Sequence, residues 1–470
     1  MKNELLKWLP TLAALVALAA LIVWLLVPGR LNLFSRVPGT DRPPGDSGGE
    51  ATGNPALRGT TIIGPGTPAQ FSGAWPRFRG GDLSNILPES PGSVPLAQQW
   101  PADGPRELWT IDVGEGYAGP AILDGKVFLM DYDRAKKQDA LRCLSLSDGQ
   151  EIWRFSYPVN VKRNHGMSRT VPSVTPECIV ALGPKCHVVC VETATGKLRW
   201  TLDLVNEFGA TVPQWYAGQC PLIDGDRVIL APGGSNAMLI SVELKSGQVV
   251  WRSPNPREWK MSHSSVVPVE FAGRRLLIYC AAGGVVAVDA ADGQLVWDTD
   301  TWKISIATVP CPVDLGDGRL FLTGGYNAGS MLIKLRAETG SIRPEVVYRL
   351  KPDIFGATQH APVFWRGHLF GTRADGRFVC LDPADGRVVW SSDAESNFGL
   401  GGFMLASGLI FAMNDSGKLH LIEAIPTAYK LLGQAQVLKG PESWGPLALA
   451  NGRLLARDFN KLVCLEVSAR

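Results

Sequence analysis

From about residue 107 to the C-terminus, apolar and polar residues alternate in short runs, and turns containing glycine separate the runs. A period of two broken by turn residues is the mark of half-buried antiparallel strands. One phrase recurs. It first stands as Asp148-Gly149-Gln150-Glu151-Ile152-Trp153, preceded by the apolar run from Leu141 to Leu146, and it returns with Gly196 and Trp200, Gly247 and Trp251, Gly293 and Trp297, and Gly386 and Trp390. The glycine precedes the tryptophan by four residues each time, so each copy predicts a strand, a tight turn and a return strand carrying the indole. Successive tryptophans are 47, 51 and 46 residues apart, and the last interval, 93, is two periods with one tryptophan missing. A period of that length made only of strands predicts propeller blades.

The remainder of each period supplies an inner hairpin. These hairpins turn at Asp124-Gly125, Asp224-Gly225, Ala272-Gly273, Asp317-Gly318, Arg366-Gly367, Ser407-Gly408 and Asn451-Gly452, with Pro176-Glu177 as the glycine-free eighth. The pattern therefore predicts an all-β, eight-bladed β-propeller. Its last blade has an inner hairpin over Pro446 to Arg457 and a third strand over Lys461 to Val467, but no tryptophan strand after it. Glu107-Leu108-Trp109-Thr110-Ile111 is a tryptophan strand with no hairpin before it, and it fits as the missing outer strand, closing the ring. The fifth and seventh blades lack the tryptophan and are expected to be the weak sectors.

Ahead of the propeller the pattern changes. After Lys2 and Lys7, Leu9 to Val27 is a run of nineteen uncharged residues, enough at about 1.5 Å per residue for a transmembrane helix. A cleaved signal peptide is the competing reading, but the run ends in Trp24-Leu25-Leu26-Val27-Pro28 without a small-residue cleavage site. Residues 1–8 then form a flank, 9–27 an anchor, 28–74 a disordered Pro- and Gly-rich tether, 75–106 an arm packing on the propeller face or edge, and 107–470 the propeller.

Charge narrows the function classes. The net charge is +2 and the pI about 8.0, with basic and acidic residues interspersed, so no nucleic-acid-binding stripe is expected. There are nine cysteines. Cys143, Cys190, Cys380 and Cys464 share one register in their third strands and read as buried fillers, while Cys178 and Cys186 are a candidate pair for a disulfide across a hairpin.

The loops that lead from an outer strand into the next inner strand gather around one mouth of the channel. They carry Tyr117; His165, Met167 and Arg169; Trp215 and Tyr216; Ser262 and His263; Lys303; Gln359 and His360; Asn397 and Phe398; and Ser443 and Trp444. Of these, Tyr117, Arg169, Trp215, Tyr216, His263, His360 and Trp444 are the candidate ligand- or partner-binding residues; filling the mouth and satisfying backbone groups is the structural alternative.

The glycine-tryptophan phrase, over Ser147 to Trp153, Thr193 to Trp200, Leu244 to Trp251, Asp289 to Trp297 and Asp382 to Trp390, resembles the tryptophan-docking motif of pyrroloquinoline-quinone-type (PQQ-like) propellers. The resemblance covers roughly residues 75 to 470, and the opening Trp75-Pro76-Arg77-Phe78-Arg79-Gly80 is similar to that of BamB-like members. It implies a non-enzymatic scaffold on the exocytoplasmic side of a membrane, binding protein partners in the cell envelope and needing no cofactor. The alternative that it implies is a quinone-dependent dehydrogenase, holding pyrroloquinoline quinone with calcium; a second is a ligand-sensing propeller. Many of those dehydrogenases have adjacent cysteines, which are absent here, and the loops are poor in the carboxylates a hard cation needs. No catalytic or metal-binding residue is expected.

Overall fold

The computed structural model describes residues 8, 14–22, 53–89, 92–338 and 340–469. Residues 14–22 are helical and exposed, in a separate unit from Ser47–Arg470. Most of the anchor expected over 9–27, and residues 28–52 of the expected tether, lie outside the described residues. Among those that are described, no helix is long and apolar enough to cross a membrane.

Among the described residues, eight sheets make up the second unit, antiparallel throughout except for one parallel strand added to blade 7. Blades 1 to 7 follow one another in chain order, and blade 8 takes three strands from the C-terminus and its outer strand, Arg106–Asp112, from the beginning of the ring. That strand pairs with Lys461–Glu466 through Cys464↔Trp109 and Val463↔Thr110, so the expected closure is present.

Every blade breaks register at the same point. A bulge in the pairing of the third and outer strands falls just after Cys143, Cys190, Ser241, Ala287, Leu332, Cys380, Leu421 and Cys464. Opposite these residues stand Trp153, Trp200, Trp251, Trp297, Tyr348, Trp390, Gly433 and Trp109. The four cysteines of common register are thus fillers directly across from an indole.

Five of the six indoles donate to a carbonyl of the next blade. Trp109 Nε1 donates to the Leu146 carbonyl at 3.1 Å, Trp153 to Thr193 at 3.2 Å, Trp200 to Leu244 at 2.9 Å, Trp251 to Ala290 at 3.1 Å and Trp390 to Ile425 at 2.9 Å. The motif glycines Gly149, Gly196, Gly247 and Gly293 lie against the preceding blade's indole. At Gly196, where φ is 67°, an added Cβ would come within 2.5 Å of Trp153, so both the backbone conformation and the stacking require glycine.

The two sectors expected to be weak are filled by other means. In blade 5 Tyr348 occupies the tryptophan position, and its hydroxyl donates to the Pro383 carbonyl of blade 6 at 2.8 Å. In blade 7 that position is Gly433, and the indole of Trp100 from the arm lies against it, 3.6 Å from where a Cβ would stand. The neighbouring Ala97 N–H donates to Val467 O at 2.9 Å, and Val467 follows Cys464 as Leu146 follows Cys143. The joint between blades 4 and 5 is also imperfect, because the buried Nε1 of Trp297 has no partner, and neither has that of Trp100 at blade 7. Blade 5's third strand runs on to Glu338 and pairs through Leu335↔Pro344, so the turn carbonyl that accepts elsewhere is absent.

Two expectations are corrected. Order begins before residue 74: Pro55–Arg58 is a 3-10 turn capped by Asn54, and Thr60–Ile63 adds a further strand to the outside of blade 1. Cys178 and Cys186 are not bonded; Cys178 pairs opposite Glu192 at one end of its hairpin, Cys186 lies in the turn at the other, and all nine cysteines are free and buried.

The arm does not lie on the face or outer edge alone. Ala74–Trp75 pairs with Ala121–Leu123, the first strand of blade 1, and Ile86–Leu87 pairs in parallel with Phe403–Ala406, the first strand of blade 7. First strands surround the axis of a propeller, so residues 74–87 occupy the channel. Arg77 Nη1 donates to the Ile223 carbonyl of blade 3, and Val174 N–H of blade 2 donates to the Pro76 carbonyl. The buried Arg79 guanidinium donates to the carbonyls of Ala361 and Pro362 beside blade 6, and to those of Leu83 and Ser84 within the arm. A chain inside a channel has no water to satisfy its backbone, and these bonds replace it.

Candidate functional site

The loops leading into the inner strands gather at one mouth of the plugged channel, around a cavity of about 280 Å³. Of the seven candidate residues, Tyr117, Arg169, Trp215, His263, His360 and Trp444 line it. Tyr216 does not. It is 2% exposed, and its hydroxyl turns away to the Lys162 carbonyl at 2.5 Å. From the wider set of loop residues, His165 and Gln359 are also in the wall, whereas Met167, Ser262, Lys303, Asn397, Phe398 and Ser443 are not.

Sequence reasoning missed Phe78, Tyr326 and Leu400. Phe78 comes from the arm, and its contribution makes the cavity blind rather than the opening of a tunnel. Tyr326 sits in the turn of blade 5 at a φ of 55°, a position that the repeat does not mark.

Tyr117 organises one wall. Its ring stacks on Trp444 at 5.1 Å between centroids with an interplanar angle of 26°, and its hydroxyl donates to Glu442 Oε2 at 2.6 Å. Burial and that carboxylate both hold the phenol well above its ordinary pKa, so it stays a donor. Trp444 is fixed in turn by its Nε1 donating to Asp415 Oδ1 at 2.6 Å. Beneath the Tyr117 loop the buried Arg457 donates to the carbonyls of Ala118 and Gly114, tying that loop to blade 8; burial lowers its pKa to about 10 and leaves it charged at neutral pH.

Arg169 lies over the Tyr117 ring, 5.0 Å from its centroid. Its Nε donates to Trp215 O at 2.5 Å and its Nη2 to Asn164 O at 3.3 Å. Burial lowers its pKa somewhat, but a guanidinium remains charged. Trp215 and His263 face each other at 6.2 Å. Burial, with the nearby Arg169 charge, brings His263 down to about 4, and burial does the same to His360, whose Nε2 lies 3.1 Å from Trp444 O. Both imidazoles are neutral at physiological pH.

The donor set does not fit a calcium-quinone centre. No carboxylate lines the cavity, and among the described residues no group of three or more His, Cys, Asp or Glu side chains could hold a metal ion. A hard cation needs several converging oxygens, and next to Arg169 it would meet repulsion. The chemistry on offer is aromatic stacking, one fixed positive charge, the neutral imidazoles of His263 and His360, and the ring of His165.

The outer membrane protein assembly factor BamB of Yersinia pestis is 22% identical over 377 residues, covering 77% of this chain and 87% of that protein. The BamB of Moranella endobia is 21% identical over 359 residues, covering 72% and 83%. The crystal structure of BamB from Moraxella catarrhalis matches with a TM-score of 0.52 at 16% identity, covering 77% of this chain and 99% of that one, which supports the fold. The family model described as outer membrane protein assembly factor BamB matches residues 136–392 and 298–427, well over half of the chain. With its eight docked blades and repeated glycine-tryptophan phrase, the chain belongs to the BamB family of PQQ-like propellers.

Proposed function

We propose that the protein is a non-enzymatic, protein-binding scaffold of the cell envelope that takes part in outer-membrane protein assembly. The observation that carries this reading is the family match across residues 136–427, together with relatives named for that process over most of their own length. The site chemistry supports it. The mouth has anchors suited to recognition, Tyr117, Trp215 and Trp444, and lacks the oxygen ligands of a quinone dehydrogenase. Ile306 and Tyr326 are exposed, 55% and 38%, beside cavity-lining residues, which gives a partner apolar surface to cover. The seven residues from Tyr117 to Trp444 named above are the contact set in this reading, with Tyr216 acting as support for the loop that carries Trp215.

The test is genetic and biochemical. Deleting the gene lowers the amount of folded β-barrel protein in the outer membrane, and supplying the full chain restores it. An unchanged amount, with loss of dye-linked alcohol or sugar oxidation instead, overturns the scaffold reading in favour of the dehydrogenase. The nineteen-residue uncharged run over 9–27 also supports an N-terminal anchor that places the propeller on the exocytoplasmic side. The full chain then stays with membranes through alkaline carbonate extraction, and a chain beginning at residue 53 does not.

A further inference from the structure

Among the described residues of the second unit, the most exposed large hydrophobic side chains lie together in one short stretch. They are Leu57, Ile62 and Ile63, which are 68%, 59% and 70% exposed. Leu57 stands in the 3-10 turn beside the buried Ala56, and Ile62 and Ile63 end the strand Thr60–Ile63, the outermost of blade 1. Consecutive strand residues point to opposite faces, so the exposure of both isoleucines means that this strand end projects with neither face covered. Edge strands are commonly blunted by charge or proline, and this one ends in two bare aliphatics instead.

Three cations accompany them. Thr61 Oγ1 donates to the Gly196 carbonyl at 2.8 Å and Asn54 Nδ2 to Thr201 Oγ1 at 3.0 Å, and these bonds seat the segment against the stretch of blade 2 that carries the exposed Lys197 and Arg199. Arg58 is exposed next to Leu57. None of the three has an ion-pair partner among the described residues. Two acids of the same blades are engaged: Glu151 pairs with Arg142 and Arg154, and Asp203 caps the short helix Leu204–Phe208. Projecting aliphatics beside unpaired cations match an apolar layer lying under phosphates, whereas a protein hot spot sits in a closed, desolvated pocket. We propose that this rim of blade 1 rests on a membrane containing anionic phospholipid, with Leu57, Ile62 and Ile63 entering the interfacial layer and Arg58, Lys197 and Arg199 meeting the headgroup phosphates. Outer strands form the rim of a propeller, so this contact stands the ring on its edge and leaves the channel mouth free. The nearness of the membrane rests on the anchor reading, since 25 residues separate the uncharged run over 9–27 from residue 53 and a tether of that length keeps the lipid at high effective concentration.

The experiment uses the full chain reconstituted into vesicles that contain a nitroxide-labelled lipid. An environment-sensitive nitrobenzoxadiazole label is placed on Ile62→Cys, on Leu57→Cys, or on the control Val347→Cys of blade 5; the nine natural cysteines are buried. In equimolar phosphatidylcholine and phosphatidylglycerol, the labels at 57 and 62 are expected to shift to the blue and to be quenched several-fold more than the label at 347. Pure phosphatidylcholine, or reversal of the three cations by Arg58→Glu, Lys197→Glu and Arg199→Glu, brings the quenching down towards the control. Should the triple reversal fail to fold, the comparison of the two lipid compositions decides alone. Equal quenching at 62 and 347 overturns the proposal, as does quenching indifferent to phosphatidylglycerol. Shielding of the label in native membranes with none in protein-free vesicles means that a protein covers the patch, and overturns it too. Carbonate extraction of the same vesicles reports on the anchor separately: release of a chain whose label at 62 was quenched beforehand removes the anchor and keeps the patch.

Discussion

Single atoms decide how well neighbouring blades join. Trp153 and Trp297 occupy equivalent positions, but Trp153 Nε1 has the Thr193 carbonyl and the buried Trp297 Nε1 has nothing. Replacing either by Phe removes similar volume, so the difference between the two variants isolates the hydrogen bond, worth about 1 kcal/mol. Urea denaturation of Trp153→Phe and Trp297→Phe is expected to show the first as the less stable by about that amount. Equal losses would mean that the donated bond contributes nothing. A second buried group sets a pH dependence. Asp139 is fully enclosed between blades 1 and 2, where it accepts from the Tyr157 hydroxyl at 2.5 Å, and burial raises its pKa to about 7. Its folded pKa lies above the unfolded value, so the folded state binds the extra proton, and stability falls as pH rises from about 4 to about 7. His263 and His360 act in the opposite sense, because their folded pKa values are depressed to about 4 and they lose stability as pH falls. The Asp139 contribution is therefore read as the melting-temperature difference between the natural chain and Asp139→Asn. That variant gains on the natural chain between pH 4 and 7, and a pH-independent difference would show the carboxyl to be ordinary.

At the level of elements, the repeat was legible because one chemistry recurs. A glycine at positive φ that packs against the preceding blade's indole, and a small residue such as Cys143 opposite an indole that packs on the following blade, link each joint to the next, and all three are visible in a linear chain. What was not legible is substitution by a different residue serving the same end. Tyr348 does the work of a tryptophan with a hydroxyl in place of an indole N–H, and Trp100 fills the space above Gly433 from a segment far away in sequence. Neither leaves a repeat signature. The site shows the same division. The loops named from the repeat supply most of the cavity wall, but Phe78 reaches it only because the arm enters the channel, and no periodicity in residues 74–87 announces that. The arm's own prediction follows from Arg79, which donates to four carbonyls. Arg79→Met keeps the aliphatic bulk and strands those acceptors, at a cost of about 1–3 kcal/mol for each that water cannot reach. A lowered melting temperature, with faster proteolysis before residue 89, is expected; an unchanged melt would show that the channel segment is only loosely seated.

For the molecule as a whole, closure joins the two ends of the ring. The strand Arg106–Asp112 completes the last blade, and Trp109, 7% exposed, docks it on blade 1. Truncating such an aromatic costs about 3–5 kcal/mol, a large share of a stability of about 5–15 kcal/mol. Deleting 107–112, or ending the chain after Arg457, is expected to give aggregating protein, judged by size-exclusion chromatography. A soluble chain beginning at Gly114, melting where one beginning at Ala74 melts, would contradict the closure. The functional account rests on the face at the channel mouth, and in-cell photo-cross-linking tests it most directly. A photoreactive amino acid is placed at Gln359 in the cavity wall and, as the control, at exposed Val347 on the outer strand of blade 5. The account predicts that the Gln359 probe captures a component of the outer-membrane assembly machinery, and that the Val347 probe does not. Capture from Val347 with none from Gln359 would contradict it.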